Sequence, residues 1–241
     1  VLRCLQRDDK ASRCKGIENE QWYGKTIKAL NSITAIRSDL KARNNLTNLD
    51  FVPELTPLIP TLFLSSFREA SHITMKIYET KTAPNPRRVR MFLAEKGIDV
   101  DYVQVDIQKG ENLSAEMRAK NPLGKIPILE LDDGTCIAET DAICTYFEAL
   151  QPEPPLMGTT PVEKATISMW QRQVELAFMM QVGMCFQHTT GYFKDRMTPV
   201  PEYGKEAGIN AAKYLNILER RLGVKEYIAG DAFSIADITA L

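Results

Sequence analysis

The chain has 241 residues, enough for one or two domains. A hydrophobic content of 44% and a charged content of 25% are those of a globular protein in water, and the net charge of −1 gives no argument for nucleic-acid or membrane binding, so neither partner is expected. Five cysteines (Cys4, Cys14, Cys136, Cys144, Cys185) and two histidines (His72, His188) show no metal-ligand spacing. No disulfide framework and no metal are therefore expected, and the expected compartment is a reducing cytoplasm.

Residues 1–74 differ in kind from the rest. All nine methionines lie from Met75 onward, and no amphipathic periodicity is sustained before it. The apolar stretch Phe51 to Phe67 is broken by Pro53, Pro57 and Pro60, too interrupted for a membrane span. This segment is expected to be a disordered or non-native extension.

At Met75 the order changes. Met75 to Tyr78 reads as a strand and Thr82 to Pro86 as a turn, with Pro86 at the first position of a helix running through Arg87 to Lys96. Gly97 ends that helix. Val100 to Ile107 reads as a second strand, and Lys109 to Lys120 as a short polar helix. The next stretch, Asn121 to Ile143, opens with turn chemistry and runs Lys125-Ile126-Pro127 into an apolar strand. A proline at a strand's mouth calls for a special turn, and a cis Ile126–Pro127 peptide is one way to make it. Ile128 to Leu131, Asp133-Gly134 and Cys136 to Ala138 predict a β-hairpin. Helical spacing follows, with Thr140 as candidate N-cap.

Gln151 to Pro161 is a proline-rich linker. Val162 to Gln187 predicts one long helix with Ile167, Trp170, Val174, Ala177 and Phe178 on its apolar stripe. Tyr192 to Tyr203 is expected to be a loop, and Ala207 to Leu222 a helix facing inward through Ala211, Leu215, Leu218 and Leu222. Ser234 with Asp237 three residues on is a capping box. Met179, Met180, Met184, Phe186, Tyr192 and Phe193 form a soft apolar cluster, suited either to a core or to an electrophile.

The Asn121-Pro122-Leu123-Gly124-Lys125-Ile126-Pro127 loop, the hairpin and a helix opened by Glu139-Thr140 closely resemble the glutathione transferase family, its soluble bacterial members included. The Gly230 to Asp237 box resembles the same family, so the likeness spans 75–241. It implies an α/β plus all-α fold class: a thioredoxin-like β-α-β-α-β-β-α domain over 75–150, then a helical bundle over 161–241. Relatives continue past the last helix, whereas this chain stops at Leu241 inside it, so the bundle is expected to be C-terminally truncated and incomplete.

The resemblance further implies glutathione as co-substrate, with no metal. Thr140 would offer its hydroxyl and N–H to the γ-glutamyl carboxylate, and Glu139 would face the ammonium. Ile126, held by Pro127, would pair with the cysteinyl main chain, and Lys125 would reach the glycyl carboxylate. Thiol activation is harder to place. The position that carries serine in plant and theta-like members is Ala83 here, whereas nu-like members share an asparagine where Asn85 stands. Asn85 and Thr82 are the catalytic candidates. Ala83-Pro84-Asn85-Pro86 also stands in the place of thioredoxin's CxxC, which excludes dithiol chemistry. The expected activity is attack of glutathione thiolate on a small electrophile, or reduction of a peroxide or disulfide, in a detoxifying cytoplasmic homodimer. The alternative is a non-catalytic protein-interaction module of the same fold.

Overall fold

The computed structural model describes residues 75–241, and the extension expected over 1–74 lies outside them. The described residues form two compact units, 75–156 and 157–241.

The first unit is built on a four-stranded sheet in which Asp101–Gln104, Lys76–Glu79, Ile128–Glu130 and Cys136–Ala138 lie side by side in that order. Its elements are β1 (Lys76–Glu79), α1 (Pro84–Lys96), β2 (Asp101–Gln104), a 3-10 turn (Glu111–Leu113), α2 (Ala115–Lys120), β3 (Ile128–Glu130), β4 (Cys136–Ala138) and α3 (Thr140–Leu150). This is the expected β-α-β-α-β-β-α order. β1 pairs with β2 in parallel, as a helical crossover requires, and with β3 antiparallel. β3 and β4 form the predicted hairpin.

Alternation along the strands divides the core. Tyr78 and Ile128, opposite one another in the ladder, cluster with Val105 and with Met117 of α2. Ile77 and Leu129 face the other way and are fully buried, as are Val89, Phe92 and Leu93 on α1 and Ile143 and Phe147 on α3. Lys96 is buried at the end of α1 because every ammonium proton is used. Its Nζ pairs with Glu148 at 2.6 Å and donates to the carbonyls of Gln151 at 2.7 Å and Pro154 at 2.8 Å. The helix end is thereby tied to the segment that leaves α3.

Three boundaries differ from expectation. α1 begins at Pro84, not at Pro86, because Ala83 is already extended and prolines suit the first turn, where no N–H is needed. β2 ends at Gln104, since the Asp106 carboxylate accepts the N–H groups of Gln108 and Lys109 and turns the chain away. The Lys109 to Lys120 segment is split by Ser114, whose Oγ accepts Met117 N–H and caps α2.

The second unit is all helical: α4 (Pro161–Val174), a π turn (Glu175–Met179), α5 (Met180–Thr190), α6 (Pro201–Leu222) and α7 (Ile235–Ala240). α4 opens with a capping box of Thr160 and Glu163. The long helix expected from Val162 does run on, but through a π turn that periodicity did not reveal. Val174, Tyr214, Leu215, Leu218, Ile228 and Ala236 make its core, with Ile167, Trp170, Ala177, Phe178 and Leu222 packed against it. α6 starts at Pro201, earlier than expected, and His188 Nδ1 accepts the Val200 N–H at 3.0 Å just before it. α5 and α6 approach closely at Gly204, where a Cβ would lie 2.7 Å from the Thr189 methyl and 2.9 Å from His188 Cβ. The Ser234–Asp237 capping box forms as predicted, and Asp237 also accepts the Ile228 N–H at 2.8 Å.

Candidate active site

Strand register brings the predicted residues to one end of the sheet. Tyr78 pairs with Ile128, and Ile128 with Ala138. The turn leaving β1, the Ile126–Pro127 entry to β3 and the Glu139–Thr140 exit from β4 therefore emerge side by side. Neighbouring strands lie about 4.8 Å apart, so the three exits span roughly 10 Å. Two helices, α1 and α3, begin there, with their unpaired first-turn N–H groups at that end.

At α1 the sequence thins out the donors. Pro84 and Pro86 carry no N–H, the Ala83 N–H is taken by the Thr80 carbonyl at 3.0 Å, and the Arg87 N–H returns to the Ala83 carbonyl. Asn85 alone keeps a main-chain donor in the first turn. Its side chain is half-buried, and its Oδ1 accepts from Arg88 Nη1 at 3.4 Å. Thr82 is exposed in the turn, and Ala83 holds the N-cap position with no side-chain cap.

At α3 the structure corrects the capping assignment. Thr140 is not the N-cap but the first helical residue; Glu139 holds the cap position without a side-chain hydrogen bond. The reason is geometric, because β4 runs straight into α3 and the change of direction is made at Glu139. Its φ of 71° makes it the only non-glycine with positive φ among the described residues. Such a conformation in a non-glycine costs of order 1–3 kcal/mol and tends to be kept at functional sites. Glu139 is exposed and Thr140 buried, so the carboxylate is free to meet a ligand while the Thr140 hydroxyl and N–H lie at the helix mouth.

Between them, the 121–127 loop is held from within. Asn121 donates from Nδ2 to the Lys125 carbonyl at 2.8 Å and accepts the Leu123 N–H on Oδ1. Asn112 Nδ2 donates to the Gly124 carbonyl at 2.7 Å. Gly124 has φ of 60°, and a Cβ there would sit 3.1 Å from the Asn112 carbonyl oxygen, so only glycine fits. The Ile126–Pro127 peptide is cis. Ile126 lies two residues outside the ladder, half-buried, with its main chain at the sheet end; Lys125 is exposed.

Sequence reasoning missed two polar clusters. One joins Glu79, Arg90 and Gln104 behind the first turn. The other joins Tyr78 and Lys120 to Glu130, with Tyr78 Oη donating at 2.8 Å and Lys120 Nζ at 2.6 Å. These bonds hold the Glu130 carboxyl well below its ordinary value, at about 2. Neither cluster carried a local motif, since each forms only when strands and a neighbouring helix pack together. Burial pushes the Cys144 and Cys136 thiols up, so neither is a thiolate nucleophile at neutral pH. Among the described residues no three His, Cys, Asp or Glu side chains are grouped as a metal site requires.

Residues 77–155 match the family profile "Glutathione S-transferase, N-terminal domain". Glutathione S-transferase 2 of Saccharomyces cerevisiae is 40% identical over 171 residues, covering 69% of this chain and 73% of the yeast protein. A glutathione S-transferase domain-containing protein of Marinobacter aquaeolei VT8 superposes with a TM-score of 0.67 at 43% identity, covering 68% of this chain and 82% of its own. Gtt2 of Saccharomyces cerevisiae superposes with a TM-score of 0.66 at 40% identity, over 68% and 81%. Identity of this order over more than two thirds of the chain leads to one conclusion: the chain belongs to the glutathione S-transferase family.

Proposed function

We propose that this chain is a glutathione transferase whose thiol-activating groups are Asn85 and Thr82, with glutathione lying across the sheet end described above. The observation that carries this is the alignment of three exits at one edge. Neighbouring exits lie about 4.8 Å apart and an extended residue spans about 3.3–3.6 Å, so the γ-glutamyl and cysteinyl residues of glutathione reach from the β4 exit to the β3 entry and the cysteinyl side chain carries the sulfur on toward the β1 exit. Its γ-glutamyl end then meets Glu139 and Thr140, its cysteinyl main chain meets Ile126 beside Pro127, and its sulfur meets the first turn of α1. The helix mouth at Thr140 suits the α-carboxylate, and Glu139 suits the ammonium beside it. Lys125 faces solvent where the glycyl carboxylate leaves.

A free thiol near pKa 8.5 is mostly protonated at neutral pH. The Asn85 N–H and amide and the Thr82 hydroxyl lower that value by donating to sulfur. The resulting thiolate forms a bond to an electrophilic carbon as the leaving group departs, or reduces a peroxide or disulfide. Detoxification in the cytoplasm, a small electrophile as second substrate and a homodimeric assembly are part of the same proposal. The relatives' names favour an enzyme over a docking module.

Calorimetric titration with glutathione, followed by electrophile and peroxide panels, tests this. Binding with turnover is expected. Binding without turnover on any member of the panel would overturn it. A single boundary at high micromolar concentration corresponding to a monomer would remove the dimer.

A further inference from the structure

Glu79 closes β1 and is buried although it carries a carboxylate. Its Oε2 pairs with the Arg90 guanidinium, and its Oε1 accepts from Gln104 Nε2 at 2.8 Å. Both partners then turn to one residue of the following turn. Gln104 Oε1 accepts the Lys81 N–H at 3.1 Å, and Arg90 Nη2 donates to the Lys81 carbonyl at 2.7 Å. The four residues form a closed ring of hydrogen bonds. Arg90 reaches Lys81 from α1 and Gln104 from the neighbouring strand β2, so the turn is held from two sides. The remaining polar groups around it are engaged as well: Thr80 Oγ1 donates to the Val105 carbonyl, and the Ala83 N–H to the Thr80 carbonyl.

A buried charge pair is a weak source of stability, because desolvation cancels most of the attraction. Its distinctive product here is geometry. A serine at position 83 would present a rotatable hydroxyl able to follow the sulfur, and Ala83 presents none. The donors that remain, a main-chain N–H and a short amide on Asn85, point where the turn points them. A misplacement of about 1 Å in such a group can cost on the order of a hundredfold in rate.

We propose that Glu79, Arg90 and Gln104 are positioning residues for thiol activation: the ring locks the 80–83 turn and so aims Asn85 and Thr82 at the glutathione sulfur. This rests on the assignment of Asn85 and Thr82 made above. None of the three touches the substrate; each acts through the Lys81 main chain.

The test uses Gln104→Leu, which leaves the Glu79–Arg90 pair intact, and Arg90→Lys, which keeps the charge beside Glu79 but loses Nη2, the separate arm of the guanidinium fork that donates to the Lys81 carbonyl. Measured are the pKa of bound glutathione from thiolate absorbance, kcat, and glutathione affinity by calorimetry. Both variants should raise the bound thiol pKa by about half a unit to one unit and lower kcat about three- to tenfold, the lower range for loosened donors. Glutathione affinity should stay within about twofold, because the β3 and β4 exits hold the rest of the tripeptide. Combined with Asn85→Ala, Gln104→Leu should add less to the thiol pKa than it does alone, since only the main-chain N–H at position 85 and the Thr82 hydroxyl are left to aim. If Asn85→Ala raises the thiol pKa while Gln104→Leu and Arg90→Lys leave it at the parent value, the ring is structural only and this inference falls alone. If Asn85→Ala and Thr82→Ala both leave the thiol pKa unmoved, the activation assignment fails and takes this inference with it.

Discussion

Asn85 Oδ1 accepts a hydrogen bond from Arg88 Nη1, 3.4 Å away and one helical turn on. A guanidinium has donors only, so the amide oxygen must face Arg88 and the NH₂ group must face elsewhere. Arg88 thereby turns Asn85 into a donor at the mouth of α1. Asn85→Ala is expected to lower kcat/KM about ten- to a hundredfold, below the full value of a shielded oxyanion donor because a thiolate is diffuse. Steady-state kinetics and thiolate absorbance check this, and glutathione should still bind. Asn85→Asp should be worse than Ala, since a carboxylate repels the thiolate.

Ala83→Ser adds a hydroxyl at the N-cap of α1, where none caps the helix now. A serine cap contributes about 0.5–2 kcal/mol. The variant is expected to melt higher by thermal denaturation and to keep or exceed the parent rate.

Glu139 combines a positive φ with a carboxylate at the proposed ammonium contact. Glu139→Gly should relieve the backbone strain and stabilise the fold by up to about 1 kcal/mol. The same change should weaken glutathione binding by roughly 1–3 kcal/mol through loss of a charge-assisted hydrogen bond. Urea unfolding and calorimetry should therefore move in opposite directions. Thr140→Ala should weaken binding as well, with little change in stability, because Thr140 is not the cap.

Glu130 titrates at about 2, below its ordinary value, chiefly because Lys120 and then Tyr78 donate to it. A depressed carboxyl contributes stability above its unfolded pKa and loses it as pH falls toward the folded value. Glu130→Gln should cost about 1–2 kcal/mol at neutral pH, a figure reduced for partial exposure. Unfolding curves of variant and parent should converge as the pH is lowered from about 5 to about 2.

Gly204→Ala places a methyl where α5 and α6 touch, 2.7 Å from the Thr189 methyl and 2.9 Å from His188 Cβ. Overpacking of this kind costs about 1–3 kcal/mol. The midpoint of urea unfolding should fall, with glutathione affinity retained in the folded protein.

Where a feature depends on neighbours in the chain, the sequence alone determined it. The hairpin at Asp133-Gly134, the Gly97 helix stop, the Ser234–Asp237 box and the Asn121 to Pro127 loop are local chemistry, and each appears at its expected place. So do the element order and, through it, the resemblance to the family. Tertiary structure alone decided the rest. Thr140 reads as a cap because hydroxyl residues favour that position, but the strand leads directly into the helix and the bend falls on Glu139. Periodicity extended β2 to Ile107, whereas Asp106 captures the following N–H groups and ends it. The ring through Glu79, Lys81, Arg90 and Gln104 is invisible in sequence, because its members meet only when β1 and β2 pair in parallel and α1 folds back beside them. Spacing along a chain encodes turns, caps and faces; partners 11 or 25 residues away, as Arg90 and Gln104 are from Glu79, are chosen by strand register and helix packing.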